Sequence, residues 1–534
     1  MLSVREIVQS GFLLIACATL AAAAPVLTGV YNAASWVPAG LPNSSIAEGS
    51  IFTLIGTGMG PASLVQVTAY PLPTSQGLAG TSIQVTIGGV TNSCIMVYTV
   101  ATQVAAILPS STPVGSGTLT LTYQGAQGSI AIKVVKNSVG IFAVNEEGSG
   151  PGIITNVDYQ VQVPTNAAHP GDILVLWGTG LGPVTGDETE PPVPVDLGTG
   201  VQIFVGGQPA TVLYGGRGSS PGLDQINFTV PGGLNGCYVS VVAQVNGVVS
   251  NFTTIPITAS GQTYCSDGLA GLSAANLAKL QNGGAVNVAR LDMDNIAGNN
   301  ASAIFEQWNY TDLISSHGLP GGPSVGSCTV YDVPSGNGIV VLDPFSIPGL
   351  NAGSSVTITG PNGTKTLPQA KTGTYLAQLS ALGATPFLTP GTYTFSNGAG
   401  GTDIGPITAS VTYPQPLTWT NQATTKSISI SHWLTVTWSG GAAGDYVTII
   451  GITGLASIKQ DTEFFCNAQA SAGTFTIPSQ VFALIPPAGL DSSLNPGIDF
   501  FVGLITTANV TAPNLDYGFL FSNATVVTAL PIVP

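Results

Sequence analysis

Charge is what this sequence has least of. Only 7% of its 534 residues are Asp, Glu, Lys or Arg, against about 25% in ordinary globular chains. Lys and Arg number 10 against 25 Asp and Glu, a formal net charge of -15. So few cations exclude the clustered phosphate contacts of a nucleic-acid partner and disfavour an anionic membrane surface. The three histidines, His169, His317 and His432, fall in different stretches of the chain. General acid–base chemistry draws most often on His, so a divergent extracellular hydrolase ranks last among the readings. No internal stretch offers the roughly 20 uninterrupted apolar residues of a spanning helix, so no transmembrane segment is expected in the mature chain. No Cys-x-x-Cys occurs and no His lies close in sequence to a Cys, which argues against zinc. No catalytic, cofactor or metal residue is assigned.

What is present reads as an exported β protein. Hydrophobic residues make up 44% of the chain, with 69 Gly and 38 Pro. That is a folded composition with many short strands and turns. Arg5, the apolar run from Gly11 to Ala16, and Ala21-Ala22-Ala23-Ala24 have the anatomy of a secretory signal over residues 1–23. The alternative is a lipobox, Leu14-Ile15-Ala16-Cys17, with Cys17 lipidated. Either way the protein is expected outside the cytoplasm, extracellular or at the cell surface. Signal removal leaves Cys94, Cys237, Cys265, Cys328 and Cys466, an odd number for an oxidising compartment.

Ile55-Gly56-Thr57-Gly58-Met59-Gly60-Pro61 returns as Trp177-Gly178-Thr179-Gly180-Leu181-Gly182-Pro183. Downstream, Ile83 to Gly89 is echoed by Val201 to Gly207, and Thr102 to Pro109 by Asp224 to Pro231. Order and spacing agree, so the chain carries a tandem duplication. Each landmark alternates apolar and polar residues between turn residues, as strands do. Tyr238 to Ala243 and Asn251 to Pro256, around Asn246-Gly247, form the last hairpin of the second copy. The glycines lack the helix that a dinucleotide fingerprint requires; they are read as strand-bending positions. The fold class is all-β: tandem immunoglobulin-like antiparallel β-sandwiches with a short mixed α/β connector. The expected units are repeat 1 over 28–145, repeat 2 over 146–259, a connector over 260–327, a third sandwich over 328–413 and a fourth over 414–534. In the connector, Ser273 caps a helix that ends at Gly283-Gly284, and Val286 to Leu291 is a strand.

The succession Gly29 to Ser35, the glycine stretch, Pro71-Leu72-Pro73, Ile83 to Gly89 and Thr102 to Pro109 resembles an uncharacterised family of secreted acidobacterial proteins. This is the Solibacter-type C-terminal domain, similar to the IPT/TIG immunoglobulin-like sandwiches. The likeness covers roughly 29–258, and motifs such as Leu434 to Gly441 resemble a companion region. It implies no catalytic residues. The second copy departs at its start, where Gly152-Ile153-Ile154-Thr155-Asn156 stands.

Several local patterns resemble sites. Gly218-Ser219-Ser220-Pro221-Gly222 matches G-x-S-x-G but sits in a Gly/Ser loop. Asp292-Met293-Asp294-Asn295 opens like a calcium loop yet lacks the Gly and Glu that follow in an EF-hand. Asp187-Glu188-Thr189-Glu190 is read as a solvated loop. Among the tryptophans, Trp438 continues a core alternation, while Trp308 and Trp433 are the candidates for exposed glycan-stacking faces. Cys237 and Cys265 end paired hairpin arms and are the preferred bridge. Cys328 with Cys466 would join the last two sandwiches, Cys265 with Cys328 is the rival, and Cys94 reads as a buried thiol. The favoured function is non-catalytic extracellular interaction, as adhesin, matrix component or scaffold. The alternative is a carbohydrate-binding accessory protein. The partner is an unknown extracellular protein or a polysaccharide.

Overall fold

Period-two alternation sets the strands. In Thr81–Ile87, residues 81, 83, 85 and 87 are buried and those between them are not. The computed structural model describes residues 23–192, 194–198, 200–269, 271–296, 298–315, 322–334, 347–455, 457–486 and 497–533. The signal segment up to residue 22, Cys17, His317 and Ala297 lie outside them.

Repeat 1 is two five-stranded sheets face to face. One runs Val26–Asn32, Ile51–Thr57, Gln103–Ile107, Ile95–Thr99, Val65–Gln66. The other runs Ile46–Ala47, Ala126–Val135, Gly115–Tyr123, Thr81–Ile87, Val90–Ser93. Phe52, Leu54, Val85, Leu119 and Leu121 fill the space between. Repeat 2 uses the same order of landmarks. Ile173–Thr179 pairs with Asp224–Thr229, which pairs with Gln208–Arg217. Gln208–Arg217 continues through Gln202–Val205 to Gly236–Val245, closing a core of Leu174, Leu176, Ile226, Phe228 and Val241. The first strand of repeat 1 has no intact counterpart. Gly140–Ile141 and Ile154–Thr155 each cover part of Ile173–Thr179, and the chain bulges out between them. Asn246 (φ 51°) and Gly247 (φ 83°) make the tight turn after Gly236–Val245, as the Asn-Gly pair predicts.

The second half differs from the expected succession of connector and two sandwiches. Twelve strands form one sheet among the described residues. Val286–Asp294 and Asn299–Trp308, assigned to the connector by sequence, stand in its middle. Val286–Asp294 pairs in parallel with Tyr517–Leu530, from the last stretch of the chain. On the other side Asn299–Trp308 pairs with Thr374–Ser380. The expected boundary at residue 414 therefore separates no sheet. Local alternation identifies each strand, but it carries no information about a parallel partner so far along the chain.

Two cores serve this sheet. One gathers Trp419, Trp438, Phe464, Phe482 and Phe500, the other Leu291, Met293, Tyr375, Tyr393 and Phe395. Each such side chain contributes about 1.5–3 kcal/mol on burial. Val242, Val249 and Phe252 of repeat 2 enter the first core. Val37 and Leu41 of repeat 1 meet Leu455 and Ile458. The helix Ala274–Gln281 is capped by Ser273, whose Oγ accepts from Asn276 N at 3.2 Å, and buries Leu277 and Leu280.

Candidate functional site

The repeated glycines serve the backbone. A Cβ on Gly56 would overlap the Val26 carbonyl oxygen, and one on Gly178 the Gly140 carbonyl oxygen. Gly58 (φ 68°) and Gly180 (φ 102°) lie where side chains are strained. Loops rather than helices follow both stretches.

The second glycine stretch also helps to lock the two repeats together. Asp224 pairs with Arg217 at 2.8 Å, with the two side chains 1% and 3% exposed. Asp224 Oδ2 accepts from Leu181 N at 2.7 Å, and Arg217 Nη2 donates to Gly182 O at 3.1 Å. Burial pushes the Asp224 carboxyl up to about 6, opposed by Arg217 and the Leu181 and Gly180 N–H groups. Thr179 Oγ1 donates to Gly222 O at 2.7 Å and accepts from Ile51 N of repeat 1 at 2.9 Å. The Asp187–Glu190 loop, read from sequence as solvated, is part of this junction. Glu188 accepts from Ser110 N and Oγ at 2.8 and 2.7 Å, and Thr189 O accepts from Leu72 N. The loop crosses to repeat 1, which no local pattern announces.

The other sequence candidates disperse. Gly218–Gly222 is the turn of a hairpin, followed by the strand Asp224–Thr229, and so lacks the nucleophile-elbow context. Asp292 and Asp294 lie on one strand, and Asp294 Oδ1 accepts from Ile296 N and Asn300 Nδ2. Burial holds both carboxyls above the usual range, with the Asp294 charge adding to the effect on Asp292. No three His, Cys, Asp or Glu side chains gather to hold a metal among the described residues. His169 lies between Asp172 Oδ2 (3.1 Å) and Gln262 O (2.8 Å); the exposed His432 lies 3.0 Å from the Ser429 and Ser431 hydroxyls.

Cys237 is bonded to Cys265, and Cys328 to Cys466. The second bridge crosses adjacent strands of one sheet, where Cys328 and Cys466 are register partners, and so does not join two sandwiches. Cys94 is a buried free thiol, which burial pushes to higher pKa.

The tryptophans part company. Trp308, expected to be exposed, is 5% exposed. It pairs across the sheet with Val286, packs among Leu277, Leu280 and Leu313, and donates from Nε1 to Glu306 Oε2 at 3.1 Å. The capped helix above it removes the face that a sugar would need. Trp433 is 74% exposed. Trp438 is buried and donates to Ala470 O at 2.8 Å.

An aromatic pair that sequence reasoning missed lies on repeat 2. Tyr159 is 73% exposed and has φ 61°. Its ring lies 6.1 Å from that of the half-buried Trp177, with planes 25° apart. Trp177 Nε1 donates to Thr155 Oγ1 at 3.2 Å, and its six-membered ring rests over Gly218, where a Cβ would stand 3.3 Å from Cζ3. Asn156 shapes the turn beneath Tyr159, its Oδ1 accepting from Asp158 N (3.0 Å) and Gln160 N (2.9 Å). The signal was available in the repeat alignment, where Trp177 stands in place of Ile55.

No protein-family model matches this chain, and no curated protein matches it in sequence. Solved structures resemble it only distantly. SGBP-B from a Bacteroides ovatus mixed-linkage glucan utilization locus, solved with a mixed-linkage heptasaccharide, has 11% identity over 92% of this chain and 96% of its own, at TM-score 0.16. The I9–I11 tandem of titin has 9% identity over 69% and 94%, at 0.13. Immunoglobulin domains 1–4 of sidekick-1 have 9% over 95% and 99%, at 0.12. The protein is all-β, with immunoglobulin-like sandwiches in its two repeats and one twelve-stranded sheet among the described residues of its second half.

Proposed function

We propose that the protein is exported and acts outside the cytoplasm by binding, as an adhesive or scaffolding component rather than as an enzyme. One observation carries this reading: the fold holds two buried disulfides, Cys237–Cys265 and Cys328–Cys466. Disulfides persist in oxidising compartments. The junction of Arg217, Asp224, Glu188 and Thr179, and the core shared by repeat 2 and the C-terminal sheet, favour a stiff body over independent modules. The signal-like start of the sequence supports export. Three of the landmarks over 29–258, the glycine stretch, Ile83 to Gly89 and Thr102 to Pro109, have strands at the matching places of repeat 2, which supports membership of the secreted acidobacterial family.

The test is expression of the full chain in a bacterium with a secretory pathway, followed by fractionation and N-terminal sequencing. The expected result is export, a mature start at Ala24, and four cysteines resistant to alkylation until reduction. Retention in the cytoplasm, unprocessed and with Cys237, Cys265, Cys328 and Cys466 as free thiols, would overturn the export reading. Hydrolytic activity of the pure protein, abolished by one point substitution, would overturn the non-catalytic one.

A further inference from the structure

We infer that the outer face of repeat 2 around Tyr159 and Trp177 is a binding site for a neutral polysaccharide. The two rings are nearly parallel, with centroids 6.1 Å apart. Rings at that separation are offset, so they form a stepped floor on which the C–H face of a pyranose can lie. The site depends on the fold at three points. Gly218 leaves room for the Trp177 ring, Thr155 fixes its indole N–H, and the Asn156 turn holds Tyr159 at positive φ. A non-glycine residue held in that region is strained by about 1–3 kcal/mol, and such strain concentrates at binding sites.

The rim points to hydroxyls as the ligand groups. Gln225, the register partner of Trp177, donates from Nε2 to Asn227 Oδ1 at 2.9 Å. That bond aligns the two amides and leaves a carbonyl on Gln225 and an amino group on Asn227, an acceptor and a donor suited to sugar hydroxyls. Both side chains are half-buried on the outward side of Asp224–Thr229. Amides and hydroxyls beside aromatic rings match an uncharged polyol better than an anion or a basic peptide.

The duplication shows that this chemistry is particular to repeat 2. Repeat 1 has Ile55 where repeat 2 has Trp177, Ala105 for Asn227 and Ile107 for Thr229. In repeat 1 this face carries Ile51, Ile95 and Ile107, and Gly222 of repeat 2 packs against Ile51 and Ile107. In repeat 2 the same face carries the rings and amides, with Tyr159 and Ile173 (44%) exposed. The turn that presents Tyr159 lies where repeat 2 departs from repeat 1. Gln160, the next residue, lines an adjoining cleft of ≈ 490 Å³, a second surface for a chain longer than one sugar.

This inference rests on the binding role proposed above and fails separately from it. The full mature chain is run in affinity gels containing mixed-linkage β-glucan, xylan, galactomannan or amylose, and sedimented with cellulose and chitin. Retardation or co-sedimentation with at least one of these is expected, with affinity reduced at least tenfold in Trp177→Ala and in Tyr159→Ala and unchanged in Trp433→Ala. Tyr159 is exposed, so Tyr159→Ala retains the fold, as its circular dichroism will verify. Absence of binding to every polysaccharide overturns the inference and leaves an extracellular protein partner open. Binding abolished by Trp433→Ala but not by Tyr159→Ala overturns the site while sparing the glycan-binding role. Binding that survives both Tyr159→Ala and Trp177→Ala overturns it as well.

Discussion

Asp224→Ala is the sharpest test of what holds the second glycine stretch in place within repeat 2. The substitution leaves the Arg217 guanidinium, whose side chain is 3% exposed, without its carboxylate at 2.8 Å. It also removes the acceptor of Leu181 N at 2.7 Å. Breaking one side of a buried ion pair costs about 3–5 kcal/mol, chiefly because the remaining charge stays desolvated. The measurement belongs at pH 7.5, above the value of about 6 to which burial raises this carboxyl, where the pair is ionised. Native-state hydrogen exchange followed by mass spectrometry reads the effect locally. Peptides spanning 174–182 and 224–230 should lose protection by a hundredfold or more, at about 1.4 kcal/mol per tenfold. The last strands of the C-terminal sheet, 498–530, should change far less. Replacing both partners, Arg217→Met with Asp224→Leu, should cost less than Asp224→Ala alone, because neither charge is stranded. A loss of protection under tenfold in Asp224→Ala, or a double variant worse than the single, would refute the reasoning.

Three further expectations follow from the same geometry. Gly180→Ala forces a side chain into positive φ (102°) and against the Ser138 carbonyl oxygen, so it should destabilise by more than about 1 kcal/mol; an unchanged urea midpoint would show the loop able to relax. Asp292 and Asp294 both have folded pKa values raised by burial above the ordinary value of 3.8. Their stabilising contribution is therefore fully present below that value and lost as pH rises through about 6 to 7. Calorimetry should give a higher Tm at pH 5 than at pH 8, with a smaller difference in Asp292→Asn; a higher Tm at pH 8 contradicts the assignment. Replacing Cys328 and Cys466 together by Ser should cost about 2–4 kcal/mol, read as a lower urea midpoint, whereas Cys94→Ala in its own core should leave both bridges intact by mass spectrometry.

Much of the architecture was legible one segment at a time. Alternation located the strands of both repeats, Asn246-Gly247 marked a turn, and Ser273 marked a helix start, because each rests on neighbours within a few residues. Paired hairpin arms were enough to bring Cys237 to Cys265. Partners set by long-range pairing were not legible. Val286–Asp294 reads as a strand in any context, and only the folded chain places Tyr517–Leu530 beside it in parallel. That pairing makes one sheet where the sequence reads as a connector and two sandwiches.

The aromatic residues show the same division. Composition alone supplied six tryptophans and a chain too poor in cations to favour nucleic acid. Which rings meet solvent depended on what packs over them: a helix covers Trp308, whereas a turn around Asn156 sets Tyr159 beside Trp177 on an open face. Sequence by itself determined the strand-forming alternation, the duplication and the scarcity of ionisable groups, because these are properties of residues and their near neighbours. Tertiary structure alone decided the sheet order, the Arg217–Asp224 junction and the exposed aromatic floor, because burial, like the loss of solvation that makes a stranded charge costly, is created only when distant segments close over one another.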